Sequence, residues 1–406
     1  MPASPPRHRA GVLKAASCHL AFKQPLLNRT SEGHRPDIMM GAILVLTLLL
    51  GACAGPVLKL PKRAPRTGAE RVLVVINSRS AASDSVGRYY ARRRGIDSTH
   101  VLRLALPEGD EIGDIAFQRD IVSPVRATIE ALPVRIDFIV LTTGVPIRVA
   151  RKNGYSVDAL LAGMNLTFPP MVGLDTAWLS RYRNPYFNAG EPFSSDRYGI
   201  YLVTRLACGR VADCLALVNA AIAARASRGP FFFDAMPQRN GNDGYAVANR
   251  LLQESAVRLG MRGADVQLDT TLAFVAPSSP VMGYVSWGSN DARFDSVAYH
   301  AVRFLPGALA ETFVSTSART FGAVTGGQSR IVDLIAQGVT GVKGYVSEPY
   351  TIAMVNPDIL FDRYWRGATL AEAFYAASRM VLWKDLIVGD PLCAPYAMFP
   401  EPSFDR

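Results

Sequence analysis

Short runs at 71–77 (RVLVVIN), 136–141 (IDFIVL) and 281–285 (VMGYV) are apolar almost from end to end. Runs of this length without polar alternation describe strands buried on both faces, which belong to parallel sheets covered by helices. Helical stretches separate them. Ser83 is placed to cap a helix over 84–94, with Val86, Tyr89 and Tyr90 on one face and Gly95 as its stop. A second strand follows at 101–106, and Ser123-Pro124 opens a helix running to Leu132. Strand, helix, strand, helix, strand with short links predicts an α/β fold, a mostly parallel sheet flanked by helices.

The rhythm breaks at 150–196, rich in aromatics and proline (Phe168-Pro-Pro170, Asn184-Pro-Tyr-Phe187), with one short helix near 157–164. This reads as an insertion or lid over the sheet edge. Strand 199–206 and helix 211–226 follow, and then the pattern resumes. Strands are expected at 230–234, 265–268, 281–285, 312–317, 341–346 and 385–388, and helices at 245–259, 330–337, 357–366 and 370–382. The expected organisation is a leader over 1–53, a tether over 54–70, a first α/β half over 71–210, a second over 211–398 and a tail over 399–406.

The leader's apolar run at 38–52 suits a signal-peptide core and is short for a membrane span. It ends Leu50-Gly51-Ala52-Cys53, which resembles the bacterial lipoprotein signal and implies lipidation at Cys53; an uncleaved N-terminal anchor is the rival. The Pro-rich, basic stretch 55–69 would then hold the domain off the membrane. The expected location is the bacterial cell envelope, at the outer membrane or on the periplasmic face. The chain carries a formal +10, part of it in the leader. Its densest later basic run, Arg92-Arg93-Arg94, closes a predicted helix, where cations suit the helix dipole. No basic stripe interleaved with aromatics occurs, so nucleic acid is not an expected partner. Cys208 and Cys214 could pair in an oxidising compartment or remain as buried thiols. No CxxC is present and only His100 and His300 follow the leader, so zinc, haem attachment and a His-rich metal site are not expected, although carboxylates could still bind a hard cation; no cofactor is expected. GxGxxG after the first strand, GxxxxGK[ST] and GxSxG are also missing.

Polar residues gather where strands end. Gly283-Tyr-Val-Ser-Trp-Gly-Ser-Asn-Asp291 runs from strand into loop, and open α/β sheets bind ligands at that carboxyl edge. Gly144 in 142–146, the hydroxyls Ser315, Thr316 and Ser317, Glu348 and Tyr350 in Glu-Pro-Tyr, and Asp390 after the last strand are the other candidates. Free N–H groups at the start of the 330–337 helix could hold an anion or belong to an ordinary loop.

The order of these pieces over most of 71–396 resembles the gingipain-like cysteine peptidases, which share the caspase-like α/β fold. The pieces are the opening strand and helix, 141–146, Arg205 closing a strand, Asp234 before a Gly-rich loop, and Gly389-Asp390-Pro391. In that family one strand ends in Gly-His-Gly-Ser, carrying the base, and the next ends in the nucleophilic Cys. Here Ser286-Trp287-Gly288-Ser289 and Val314-Ser-Thr-Ser-Ala-Arg-Thr-Phe321 stand in those places. Trp287 replaces the His, and Thr316 or a neighbouring serine replaces the Cys. An indole N–H cannot act as a base, and a hydroxyl is a poor nucleophile without one. The resemblance implies the fold while the residues argue against cysteine-peptidase activity. The chain also looks like a family of exported bacterial proteins sharing Trp-Gly-Ser-Asn-Asp and Glu-Pro-Tyr. The leading expectation is a binding or scaffold role. Trp287 would stack on a ligand, with Ser289, Asn290, Asp291, Glu348, Tyr350 and Gly144 beside it. Partners would be the membrane, through the lipid, and an envelope protein, peptide or glycan. A hydrolase using Asp291, Glu348 and Asp390 as carboxylates with Ser315, Thr316 or Ser317 as hydroxyl is the alternative. A purely structural envelope protein is a third.

Overall fold

The computed structural model describes residues 62–63, 65–150, 154–166 and 182–397. All of these belong to the unit Pro61–Arg406. The leader, Cys53, Phe168-Pro-Pro170 and the tail 399–406 lie outside the described residues, as does most of the tether.

The strands are β1 (Val72–Asn77), β2 (Val101–Leu104), β3 (Glu111–Ile112), β4 (Phe138–Thr142), β5 (Arg148–Val149), β6 (Tyr155–Ser156), β7 (Leu202–Leu206), β8 (Phe231–Asp234), β9 (Val266–Asp269), β10 (Val281–Ser286), β11 (Phe304–Thr312), β12 (Gly341–Tyr345) and β13 (Asp385–Gly389). Ten of them form one sheet in the order β2-β1-β4-β7-β13-β12-β11-β10-β8-β9. Parallel pairing joins β2 to β1, β1 to β4 and β4 to β7. It likewise runs from β12 through β11, β10 and β8 to β9. The last strand, β13, lies between β7 and β12 and runs antiparallel to β12. The α/β, mostly parallel architecture expected from the apolar runs is therefore present. Residues after β4 meet residues after β11 and β12, through Arg148 to the Arg319 carbonyl and Ser347 Oγ to the Gly154 carbonyl at 2.7 Å. Those strands end on the same edge.

The α-helices of six residues or more among the described residues are α1 (Ala81–Arg94), α2 (Ser123–Ala131), α3 (Val157–Ala162), α4 (Val211–Ala223), α5 (Gly244–Met261), α6 (Ser296–Ala301), α7 (Ile331–Ala336), α8 (Pro357–Trp365) and α9 (Leu370–Ala377). On one face α4 packs against α1 and α7; on the other α8 packs against α5 and α9. Every residue of β1, β4, β7, β8, β10, β12 and β13 is buried, as two covered faces require.

Local expectations failed in instructive places. The cap of α1 is Ser80, whose side chain accepts from the Ser83 N–H. Ser83 is inside the helix, where its Oγ accepts from the Asn77 N–H at 2.8 Å. The helix assigned to Ser123-Pro124 begins earlier, because a π-helical turn at Phe117–Val122 leads into it without a break. Of the stretch 312–317 only Thr312 lies in a strand. Strand β11 runs over Phe304–Thr312, and its Pro306-Gly307 is absorbed within the strand, where Gly307 takes φ +96° and the register against β10 shifts. Residues 313–317 are therefore the loop beyond its carboxyl end.

Candidate functional site

Each half of the sheet has a place where the chain leaves one strand for a neighbour on one side and later returns to the other side. These are β1/β4 and β8/β10, the topological switch points at which open α/β sheets form crevices.

At β1/β4 the crevice is closed. The Asn77 amide donates to the Gly144 carbonyl at 2.7 Å, and Ser83 Oγ lies 2.5 Å from Thr142 Oγ1. Gly144 has φ +82°, and a Cβ there would come within 2.6 Å of Ser80 Oγ. Five strand spacings separate β4 from β10, about 24 Å, so Gly144 is not beside Trp287.

At β8/β10 the chemistry is charged. Asp234 ends β8, in register with Asp269 of β9. It is 2% exposed, and its Oδ2 has no partner among the described residues. Burial, then the negative charges of Asp269 and Asp291, push its carboxyl up to about 8. The Asp291 carboxylate accepts from the Arg293 N–H at 2.8 Å and is itself nearly buried. Trp287 is fully buried. Its indole N–H donates to Asn249 Oδ1 at 3.1 Å, and its ring stands edge-on to Phe313 at 5.0 Å and tilted against Tyr245 at 5.8 Å. The expected stacking surface is therefore a core wall, with its faces already taken by protein. Asn249, on α5, also holds both backbone polar groups of Met236 at 2.9 Å. With Ser255 it is one of two polar residues on the buried side of this amphipathic helix, and no local signal singles it out.

The loops after β10 and β11 are tied to the Gly-rich loop before α7. The Ser289 N–H donates to Ser329 Oγ at 3.1 Å, and the Ser329 N–H donates to Ser289 Oγ at 2.9 Å. Gln328 Nε2 donates to Asn290 Oδ1 at 3.0 Å, while Thr316 Oγ1 donates to Gln328 Oε1 at 2.7 Å. Ser317 is fully buried, its Oγ accepting from the Tyr345 N–H, and Ser315 is nearly so. Among the described residues no histidine, carboxylate or lysine hydrogen-bonds the Thr316 hydroxyl. His300, on α6, lies against its own helix at the Ser296 carbonyl, and buried His100 faces the Val72 carbonyl. Of the two readings of the stretch before α7, the ordinary loop fits the occupied donors, since the Ile331 N–H goes to the Ser317 carbonyl and that of Asp333 to the Arg330 carbonyl.

The three proposed carboxylates do not converge. Because β13 runs against β12, Asp390 lies beyond Gly341, whereas Glu348 lies beyond Tyr345. The strand between those levels is about 13 Å long, which puts Asp390 at the opposite edge from Glu348 and Asp291. There Asp390 is fully buried, pairing with Arg94 and accepting from Tyr90 Oη at 2.8 Å. Glu348 is exposed and accepts from the Tyr350 N–H at 3.1 Å. Tyr350 has φ +64° and its ring leans on Trp383.

Two features were not anticipated. The first is a cavity of about 260 Å³ on the α5/α8 face of this edge, lined by Val247, Leu251, Phe313, Ile352 and Val355, with Arg379 among its walls. Trp287 packs behind Phe313. The second is a row of buried charge below it. Lys343 Nζ lies 2.9 Å from Asp385 Oδ2 and donates to Ser378 Oγ and the Ala353 carbonyl. Tyr345 Oη donates to Glu311 Oε1 at 2.6 Å. Burial dominates at Glu311 and raises its carboxyl to about 8, against the opposing pull of Lys343 and Tyr345.

Cys208 and Cys214 form a disulfide, and Cys393 is a buried free thiol pushed up to about 12 by burial. Among the described residues no group of three or more His, Cys, Asp or Glu is placed to hold a metal ion, and no helix is long and apolar enough to cross a membrane.

What these elements define is a mostly parallel α/β core with an apolar cavity at the carboxyl edge. No family model matches the chain, and no curated protein matches it. Two solved structures are similar in fold. One is the complex of Porphyromonas gingivalis RgpB pro- and mature domains, at 10% identity and a TM-score of 0.42, covering 80% of this chain and 79% of that one. The other is a protease, at 11% identity and a TM-score of 0.45, covering 82% and 79%.

Proposed function

We propose that this chain is an exported, lipid-anchored binding protein, built on a gingipain-like core without the Cys–His pair, whose ligand's apolar part occupies the cavity beside Phe313. One observation carries the reading. The places that the family resemblance gives to base and nucleophile hold a buried indole bonded to Asn249 and a hydroxyl bonded to the Gln328 amide. Neither arrangement activates a nucleophile. An open cavity with apolar walls lies next to them, of the kind that binds small apolar groups.

Titration of the full chain with 8-anilinonaphthalene-1-sulfonate tests the cavity. Val247→Trp, which fills it, is expected to weaken binding tenfold or more; unchanged affinity would remove the cavity as the site. Anchoring is tested separately by Cys53→Ala, which is expected to move the chain from the membrane to the soluble fraction.

A further inference from the structure

We infer that the crevice between the carboxyl ends of β10 and β11 is a carboxamide-recognition slot, and that Gln328 is its resident occupant. The inference rests on the binding reading above, which it extends to the polar part of the ligand.

The Gln328 carboxamide is matched on both sides. Its Oε1 accepts from the Thr316 N–H at 3.1 Å and from Thr316 Oγ1 at 2.7 Å, while its Nε2 donates to Asn290 Oδ1 at 3.0 Å. The two donors and the acceptor come from different segments, one following β10 and the other following β11. Two donors facing one carbonyl oxygen, with an acceptor beside the nitrogen, complement an amide and neither an ester nor a carboxylate. Asn290 is fixed in that orientation because its own Nδ2 donates to the Phe313 carbonyl. Phe313 also lines the apolar cavity, so slot and cavity share a residue.

The loop that supplies Gln328 does not depend on this side chain for its position. Arg319 donates to the carbonyls of Gln328 at 2.7 Å, Gly326 at 3.1 Å and Thr316 at 3.2 Å. The reciprocal Ser289–Ser329 bonds hold its far end. Gly327 takes φ +89°, and a Cβ there would come within 2.8 Å of the Arg319 guanidinium. With the backbone held independently, the Gln328 side chain acts as a removable plug. Thr316, Asn290 and Gln328 are each partly exposed, so a ligand amide can reach the slot once the plug leaves.

Gln328→Ala in the full chain tests this, with octanamide as probe and methyl octanoate as the control that lacks the N–H donors. Dissociation constants come from calorimetry, and the Thr316 N–H resonance reports the slot. The variant is expected to bind octanamide at least tenfold more tightly than the parent, with a shift at Thr316 and no gain for the ester. Adding Thr316→Val is expected to cancel that gain. Equal octanamide affinity in parent and variant overturns the slot and leaves the cavity standing. An equal gain for the ester, or a gain that survives Thr316→Val, also overturns the slot. Binding of neither probe to either protein overturns slot and cavity together. Thermal melting confirms that each variant is folded.

Discussion

The carboxyl edge of the sheet closes in two different ways. At β1/β4 it closes with neutral groups, Asn77, Ser83 and Thr142, which satisfy one another at hydrogen-bond distance. On the β8–β13 side the polar groups are charged and incompletely matched. Asp234 keeps an oxygen without a partner among the described residues, and burial raises the Glu311 carboxyl to about 8 against the pull of Lys343. A neutral network inside a fold stabilises without reference to pH, whereas buried carboxyls make the same fold respond to protons.

The largest expected effect lies on the charged side. Lys343→Met leaves Asp385 buried without its cation and should cost about 3–5 kcal/mol. Denaturant unfolding measures it, and a loss below about 1 kcal/mol would mean that the row is not acting as an ion pair. The next test concerns pH. The folded values of Asp234 and Glu311 are raised to about 8 from 3.8 and 4.5. Between these limits the folded chain retains protons that the unfolded chain has released. Their stabilising contribution is therefore complete below about pH 4 and is lost as pH rises toward 8, at up to about 1.4 kcal/mol per pH unit for each group. Unfolding in urea from pH 5 to 8 should show this decline, and Asp234→Asn should make it shallower. An identical slope in the variant would contradict the assignment of Asp234.

A smaller effect probes the neutral side. Ser83→Ala strands the buried Asn77 N–H, while the Thr142 hydroxyl keeps its bond to the Val75 carbonyl, with an expected loss of about 1–3 kcal/mol that does not change between pH 5 and 8. A pH-dependent loss would blur the distinction between the two crevices. The smallest concerns Trp287→Phe, which removes the bond to Asn249 while keeping most of the packing. It should cost about 1 kcal/mol, read as a lower melting temperature.

Much of the fold was legible because double-sided burial writes itself into continuous apolar runs such as 71–77 and 281–285. The stops were legible too: Gly95 and Gly338 take positive φ where glycine ends a helix. Failures arose where neighbours decide. Pro306-Gly307 looks like a turn and lies inside β11, since a bulge absorbs it. Ser80 and Ser83 are both plausible caps by residue type, and only the position of Asn77 selects between them. Asp390 follows its strand as the other candidates do but lies at the opposite edge, because nothing local in 385–390 encodes strand direction. Lys343 in Gly-Val-Lys-Gly-Tyr and Glu311 in Ala-Glu-Thr resemble the polar positions of half-exposed strands. Their partners are brought together by the pairing of β11, β12 and β13, a long-range property. The site followed the same division. Its location at strand ends could be read, but the burial of Trp287 and the plugging of Thr316 by Gln328 depend on segments distant in sequence.

The position of β13 sets the order in which the molecule can be completed. This strand is synthesised after every other strand of the sheet, yet it lies between β7 and β12. Without residues 385–389 the other nine strands divide into β2-β1-β4-β7 and β12-β11-β10-β8-β9, each with an inner edge that lacks its partner. Unpaired strand edges of that kind are templates for pairing with other chains. One short strand at the end of the sheet's sequence order covers both edges, so the single sheet depends on its last strand.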